Sequence, residues 1–199
     1  MRLAWAAALG VALAAQAAQA GDLRGRLVLD LPGAQLADFA PVVVYLESGA
    51  PRRAPRRGAA LRQREAQFAP AFLAVGTGDP VAMPNEDEIF HNVFSFSAPN
   101  DFDLGLYPGG ESRSVTFHHA GVVKVYCSIH EAMSATIFVA PTPWYAVAGA
   151  DGRFAIEGVP PGRYRVRTWA EKLPPTAREL QVGSGVTSLE IRLGEAAAP

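Results

Sequence analysis

The sequence predicts an all-β protein, and three observations carry that prediction. No segment after residue 20 sustains a helical period; apolar residues fall instead in short runs or in strict alternation. Sixteen prolines and nineteen glycines punctuate those runs at close intervals, which suits a turn-rich β protein. Asp-Gly, Pro-Gly and Gly-Gly steps then mark the reversals between strands.

Taken in chain order, each predicted strand has its own boundary. Gly25–Asp30 is an apolar run closed by Asp30, and Val42–Glu47 is one opened by Pro41. Gln67–Val75 runs up to Gly76, and Pro80–Met83 lies between Asp79 and Pro84. His91–Ser97 ends before Ala98-Pro99, and Ser112–Phe117 follows Gly109-Gly110. Val122–Cys127 follows Gly121 and alternates, so Lys124 marks a wet face while Val123, Val125 and Cys127 point inward. Ala135–Ala140 stops at Pro141, and Arg153–Glu157 starts after Asp151-Gly152. Arg163–Trp169, Arg178–Val182 and Ser188–Leu193 complete the set, divided by Pro and Gly. Asp101–Leu104 is compatible with a short helical turn.

The first 20 residues read as an export signal. Arg2 precedes the apolar stretch Leu3 to Ala15, and Ala18-Gln19-Ala20 offers a small-residue cleavage site before Gly21. The stretch is too short to span a bilayer comfortably. The expectation is a periplasmic protein, cleaved after Ala20, with no membrane span left. Net charge is −1, which gives no reason to expect nucleic acid as a partner. Arg52, Arg53, Arg56, Arg57, Arg62 and Arg64 crowd one segment, read as a solvated linker or a docking patch for an acidic partner.

Cys127 is the one cysteine of the chain. In an oxidising compartment cysteines are usually paired, so a lone one has another role. Its surroundings suggest metal ligation. Cys127-Ser128-Ile129-His130-Glu131-Ala132-Met133 holds a thiol, an imidazole and a thioether, and His91 adds a second imidazole. Two imidazoles, a thiolate and a weak axial thioether are the donor set of a blue-copper electron-transfer site. Met83, Trp144, Trp169 and Tyr164 read as packing residues. His118 and His119 read as solvent-exposed; the alternative is that one of them joins His91, Cys127 and His130 in a tetrahedral zinc or red-copper site. No Ser–His–Asp arrangement, phosphate loop or haem motif is present, so an enzyme is not expected.

Residues 65–141 resemble the cupredoxins. The residues that carry the resemblance are Phe72-Leu73-Ala74-Val75, Gly78-Asp79-Pro80-Val81, Pro84-Asn85-Glu86-Asp87, His91-Asn92-Val93, Gly121-Val122-Val123, and the Cys-x-x-His-x-x-Met loop, which has the short spacing of amicyanin. The whole chain looks like exported plastocyanin-like proteins often labelled methylamine-utilisation proteins. The resemblance implies one type 1 copper ion held by His91, Cys127 and His130 with Met133 as the long axial ligand. It implies that Asn92 braces the ligand loop at Ser128. It also implies an exposed edge of His130, with Ile129, Ala132 and either Leu106 or Tyr107 as an apolar collar. Glu131 departs from the amicyanin pattern, which has Pro there; it could tune His130 or act as a hard axial ligand. The flanks, Gly25-Arg26-Leu27-Val28-Leu29 and Asp151 to Tyr164, resemble a carboxypeptidase regulatory-like sandwich of immunoglobulin type. The expected division is therefore a Greek-key copper sandwich at 65–141, a linker at 50–64, and a discontinuous second sandwich from 21–49 and 142–195. The expected function is one-electron transfer with a transient partner, a cytochrome or a dehydrogenase. The alternatives are copper storage or delivery, and a scaffold that has lost its metal.

Overall fold

The structure is a computed structural model that describes residues 19–47, 56 and 58–194. The expected export segment, apart from Gln19 and Ala20, lies outside the described residues, as do Arg52, Arg53 and Arg57. The described chain is all-β apart from one 3-10 turn at Leu36–Phe39. No helix among the described residues is long and apolar enough to cross a membrane.

The strands in order are β1 (Gly21–Leu29), β2 (Val43–Glu47), β3 (Ala59–Ala60), β4 (Arg62–Arg64), β5 (Gln67–Ala69), β6 (Phe72–Gly76), β7 (Pro80–Pro84), β8 (His91–Ser95), β9 (Phe102–Tyr107), β10 (Ser112–Thr116), β11 (Gly121–Tyr126), β12 (Ser134–Ala140), β13 (Tyr145–Val147), β14 (Arg153–Val159), β15 (Gly162–Trp169), β16 (Ala177–Val182) and β17 (Val186–Leu193). Two sheets come from the chain's two ends, β14-β1-β17 and β13-β2-β15-β16. Two more come from its middle, β10-β7-β3 and β6-β12-β11-β8-β9, with the β4–β5 hairpin beside them.

Three apolar clusters follow from that stacking. Leu23, Leu27, Val44, Leu46, Phe154, Ile156, Tyr164, Val166 and Ile191 fill the space between the first two sheets. Leu61, Phe68, Val81, Val93, Tyr107, Val123, Val125, Met133 and Ile137 fill the space between the middle two. A third, thinner cluster of Val43, Phe138 and Ala140 packs with Tyr45, Phe72, Trp169 and Tyr145. It binds the outer face of the β2 sheet to the outer face of the β12 sheet. Strands β2 and β12 are thus apolar on both faces, which is why residues 43–46 and 137–140 read as continuous apolar runs. In β2, Val44 and Leu46 face one core while Val43 and Tyr45 face the other. In β12, Ile137 and Val139 face the middle core while Phe138 and Ala140 face β2. Each fully buried side chain of this size is worth about 1.5–3 kcal/mol of apolar transfer.

Several segments differ from the sequence expectation. The expected strand at 67–75 is broken at Pro70-Ala71, because a proline cannot donate to a ladder. Residues 101–104 are not a helical turn; β9 occupies Phe102–Tyr107 and pairs with β8. Asp103 and Gly105, polar and small residues on the open edge of the sheet, give that stretch its turn-like composition. Part of the expected linker is structured: β3 pairs with β7, β4 pairs with β5, and Leu61 and Gln63 are fully buried. The middle sheets therefore begin near residue 59 and not at 65.

Candidate metal centre

The alternation of β11 delivers the thiol. Val123, Val125 and Cys127 are buried, while Tyr126 is 39% exposed on the opposite face. Cys127 follows the last residue of the strand, so its Sγ sits at the mouth of the middle core. His91 opens β8, is fully buried, and pairs with Tyr107 of β9. His130 and Met133 come from the tight connection between β11 and β12. That connection is closed by two backbone bonds, Met133 N–H to His130 O at 2.9 Å and Cys127 N–H to Met133 O at 3.3 Å.

The geometry converges. His91 Nδ1 lies 3.0 Å from His130 Nδ1, and Cys127 Sγ lies 3.9 Å from His130 Nδ1. One donor atom from each of the three residues lies within 4.8 Å of the other two. An ion about 2.0–2.1 Å from each nitrogen and about 2.3 Å from sulfur would hold two nitrogens roughly 3.3–3.5 Å apart. The two rings need open by only about half an ångström to reach that spacing, so the donor set fits a metal ion. Met133 is fully buried in the same apolar cluster as Cys127.

Neighbouring side chains fix this arrangement. Asn92 Oδ1 accepts from the Ser128 backbone N–H at 2.7 Å and from Ser128 Oγ at 2.9 Å. Those two bonds tie β8 to the residue after Cys127. On the far side of His91, Nε2 lies 2.8 Å from Asp87 Oδ2. Asp87 also accepts the backbone N–H groups of Glu65 (2.6 Å) and Ala66 (2.9 Å). Burial pushes the Asp87 carboxyl up, but the bonds from Ala66, His91 and Glu65 outweigh it and hold its pKa below the ordinary value. An ionised Asp87 accepts a hydrogen bond from His91 Nε2–H, which leaves the Nδ1 lone pair turned toward His130.

Beneath the site lies a second buried network. Tyr107 Oη donates to the Met83 carbonyl at 2.8 Å and accepts from Gln63 Nε2 at 2.5 Å. Gln63 Oε1 has no partner among the described residues. Burial, opposed by the Gln63 bond and the Arg113 cation, raises the Tyr107 phenol to about 12.

The expected ligands are not all placed alike. His91, Cys127 and His130 are brought together, while Met133 lies in the same apolar cluster as Cys127 and outside that donor group. Glu131, His118 and His119 are exposed and lie outside the donor group. Asp87, Gln63 and Tyr107 were not singled out by sequence as metal-site residues. Around the metal end, Ile129, Leu106, Phe90 and Ile89 are each about half exposed. Tyr107, one of the residues expected for the apolar collar, is fully buried instead.

No protein-family model and no curated protein matches the chain. Among solved structures, a purple cupredoxin from Nitrosopumilus maritimus is 22% identical, covering 42% of this chain and 100% of that one at a TM-score of 0.38. A copper-containing nitrite reductase from Thermus scotoductus SA-01 is 24% identical, covering 57% of this chain and 28% of that one at 0.40. A copper(I) form of an amicyanin mutant is 22% identical, covering 48% of this chain and 97% of that one at 0.38. Identities and scores of this size do not bear on function.

Proposed function

We propose that this chain is a periplasmic type 1 copper protein that carries single electrons between redox partners. The observation that carries the reading is the convergence of two imidazole Nδ1 atoms and one buried thiol at the mouth of an apolar core. His91, Cys127 and His130 are the strong ligands, and Met133 is the weak axial one. Bound copper supplies a one-electron couple. The chain supplies rigidity. Three donors lie on one short connection closed by its own backbone bonds, and the fourth lies on a strand braced to it through Asn92. Little rearrangement is then needed between oxidation states.

His130 turns Nδ1 inward and is partly exposed, so its outer ring edge is the route for electrons. The apolar residues around it suit a small, transient interface of less than about 1,200 Å². The reading is of a carrier and not an enzyme. The residues of 21–47 and 142–194 are read as a second sandwich of immunoglobulin type that supports or docks the copper sandwich.

Adding Cu(II) to the purified protein tests this. The expected result is an intense thiolate-to-copper charge-transfer band at one equivalent, absent in Cys127→Ser, together with a reversible one-electron wave. A colourless complex without redox cycling, which passes its metal to an apo-acceptor, would instead establish copper delivery.

A further inference from the structure

We propose that Asp87 is a positioning residue for His91, and that the Glu65–Ala66 turn is built to hold it there. This inference rests on the metal reading above. The turn is a two-residue hairpin loop joining β4 to β5, with φ of 55° at Glu65 and 51° at Ala66. Both central residues of such a loop need positive φ, which glycine and asparagine adopt freely and other residues resist. Neither is present here. A strained turn of this kind persists only when its surroundings over-determine it. At the two strained residues themselves, the backbone N–H groups are both held by one carboxylate. Asp87 Oδ1 takes the Glu65 N–H, and Oδ2 takes both the Ala66 N–H and the proton of His91 Nε2. The hairpin is stitched to the same loop twice more, by Glu86 N–H to Gln63 O at 2.8 Å and by the Arg62–Glu86 ion pair.

Asp87 therefore has two structural neighbours and one metal-facing role. Its negative charge fixes the Nε2–H tautomer, aims Nδ1 at the site, and makes the ring a stronger donor. A stronger, anion-backed imidazole favours Cu(II) over Cu(I). Losing such a partner typically weakens metal binding by about 10–100-fold. If the loss falls tenfold more on Cu(II) than on Cu(I), the potential rises by about 59 mV.

Two substitutions separate the turn from the tuning. Asp87→Asn keeps an acceptor for His91 but turns an NH2 group toward the Glu65 N–H and removes the charge. Ala66→Gly relieves one strained residue. Ala66→Gly alone should raise the thermal midpoint and leave the potential unchanged. Asp87→Asn should lower the midpoint and raise the potential. The double variant should regain the midpoint and keep the raised potential. In the metal-free protein, imidazole 15N shifts should show His91 as the Nε2–H form in wild type and as a mixture in Asp87→Asn. A double variant with the wild-type potential, or an unchanged tautomer in Asp87→Asn, would overturn the proposal. A wild type with no thiolate–copper band would overturn the copper reading alone, because the tautomer measurement uses no metal.

Discussion

Cys127 sits where a buried thiol meets two imidazole nitrogens, and that juxtaposition is what supports reading it as a ligand and not as an inert core cysteine. At this scale the sequence was informative because three of the four proposed donors lie within one short run. Asp87 was hidden for the opposite reason. A carboxylate four residues before a histidine is common, and only the fold shows that it meets His91 and the Glu65–Ala66 turn together. Two predictions belong here. Met133→Leu should retain copper and raise the reduction potential, because a weak donor to Cu(II) is gone; an unchanged potential in voltammetry would remove Met133 from the ligand set. Tyr107 carries a pH dependence. Its folded pKa, about 12, exceeds the unfolded value of about 10, so the fold favours the neutral phenol. That stability is complete below about pH 10 and is lost as pH rises toward about 12. The shift corresponds to roughly 2–3 kcal/mol. Tyr107→Phe should flatten this part of the alkaline unfolding curve and lower stability at neutral pH by about 1–3 kcal/mol, because Gln63 Nε2 keeps only its longer bond to the Met83 carbonyl, at 3.3 Å, and that carbonyl loses the phenol.

Strands with one wet face were legible as elements. In β11, Lys124 announced the outer side, and burial follows the alternation. Strand β4 was obscured because the sequence Arg62-Gln63-Arg64 places a glutamine inside, where an apolar residue was expected. The loop from Asn85 to Phe90 combines a local Asn85 turn with contacts that no local pattern contains, from Asp87 to the Glu65–Ala66 turn and from Asn85 Nδ2 to the Tyr107 carbonyl at 3.2 Å. Asn85 Oδ1 accepts the Asp87 N–H at 3.1 Å, and Asn85 Nδ2 donates to the Ile89 carbonyl at 2.8 Å. The backbone of Gly109 lies against that loop so closely that a Cβ there would stand 1.9 Å from the Asp87 carbonyl oxygen. Gly109→Ala should therefore push the loop away. The expected effect is a raised reduction potential in the direction of Asp87→Asn, although the carboxylate is intact. A wild-type potential together with wild-type His91 shifts would show that the loop yields without moving Asp87.

The described molecule is four packed sheets with three apolar layers between them. The middle layer holds the donor group at its mouth, and the thin outer layer of Phe138, Val43 and Trp169 joins the two pairs of sheets. The two-sided apolar runs of β2 and β12 were visible in the sequence; that they face one another was not, because which buried faces pair depends on the tertiary stacking. The start of the middle unit has a direct consequence. A fragment 58–141 contains Leu61 and Gln63, while 65–141 lacks them and leaves a void where Leu61 was fully buried. Loss of a buried leucine typically costs about 2–5 kcal/mol, so the longer fragment should be the more stable by at least that much in urea. Equal stability would show that residues 59–64 are dispensable. The central claim is that two imidazoles and one thiolate, with a thioether behind them, share one copper ion. X-ray absorption at the copper edge of the loaded protein tests it most directly. The predicted first shell is two nitrogens and one short sulfur, with the short sulfur lost in Cys127→Ser. A shell of nitrogen and oxygen alone in the wild-type protein would contradict it.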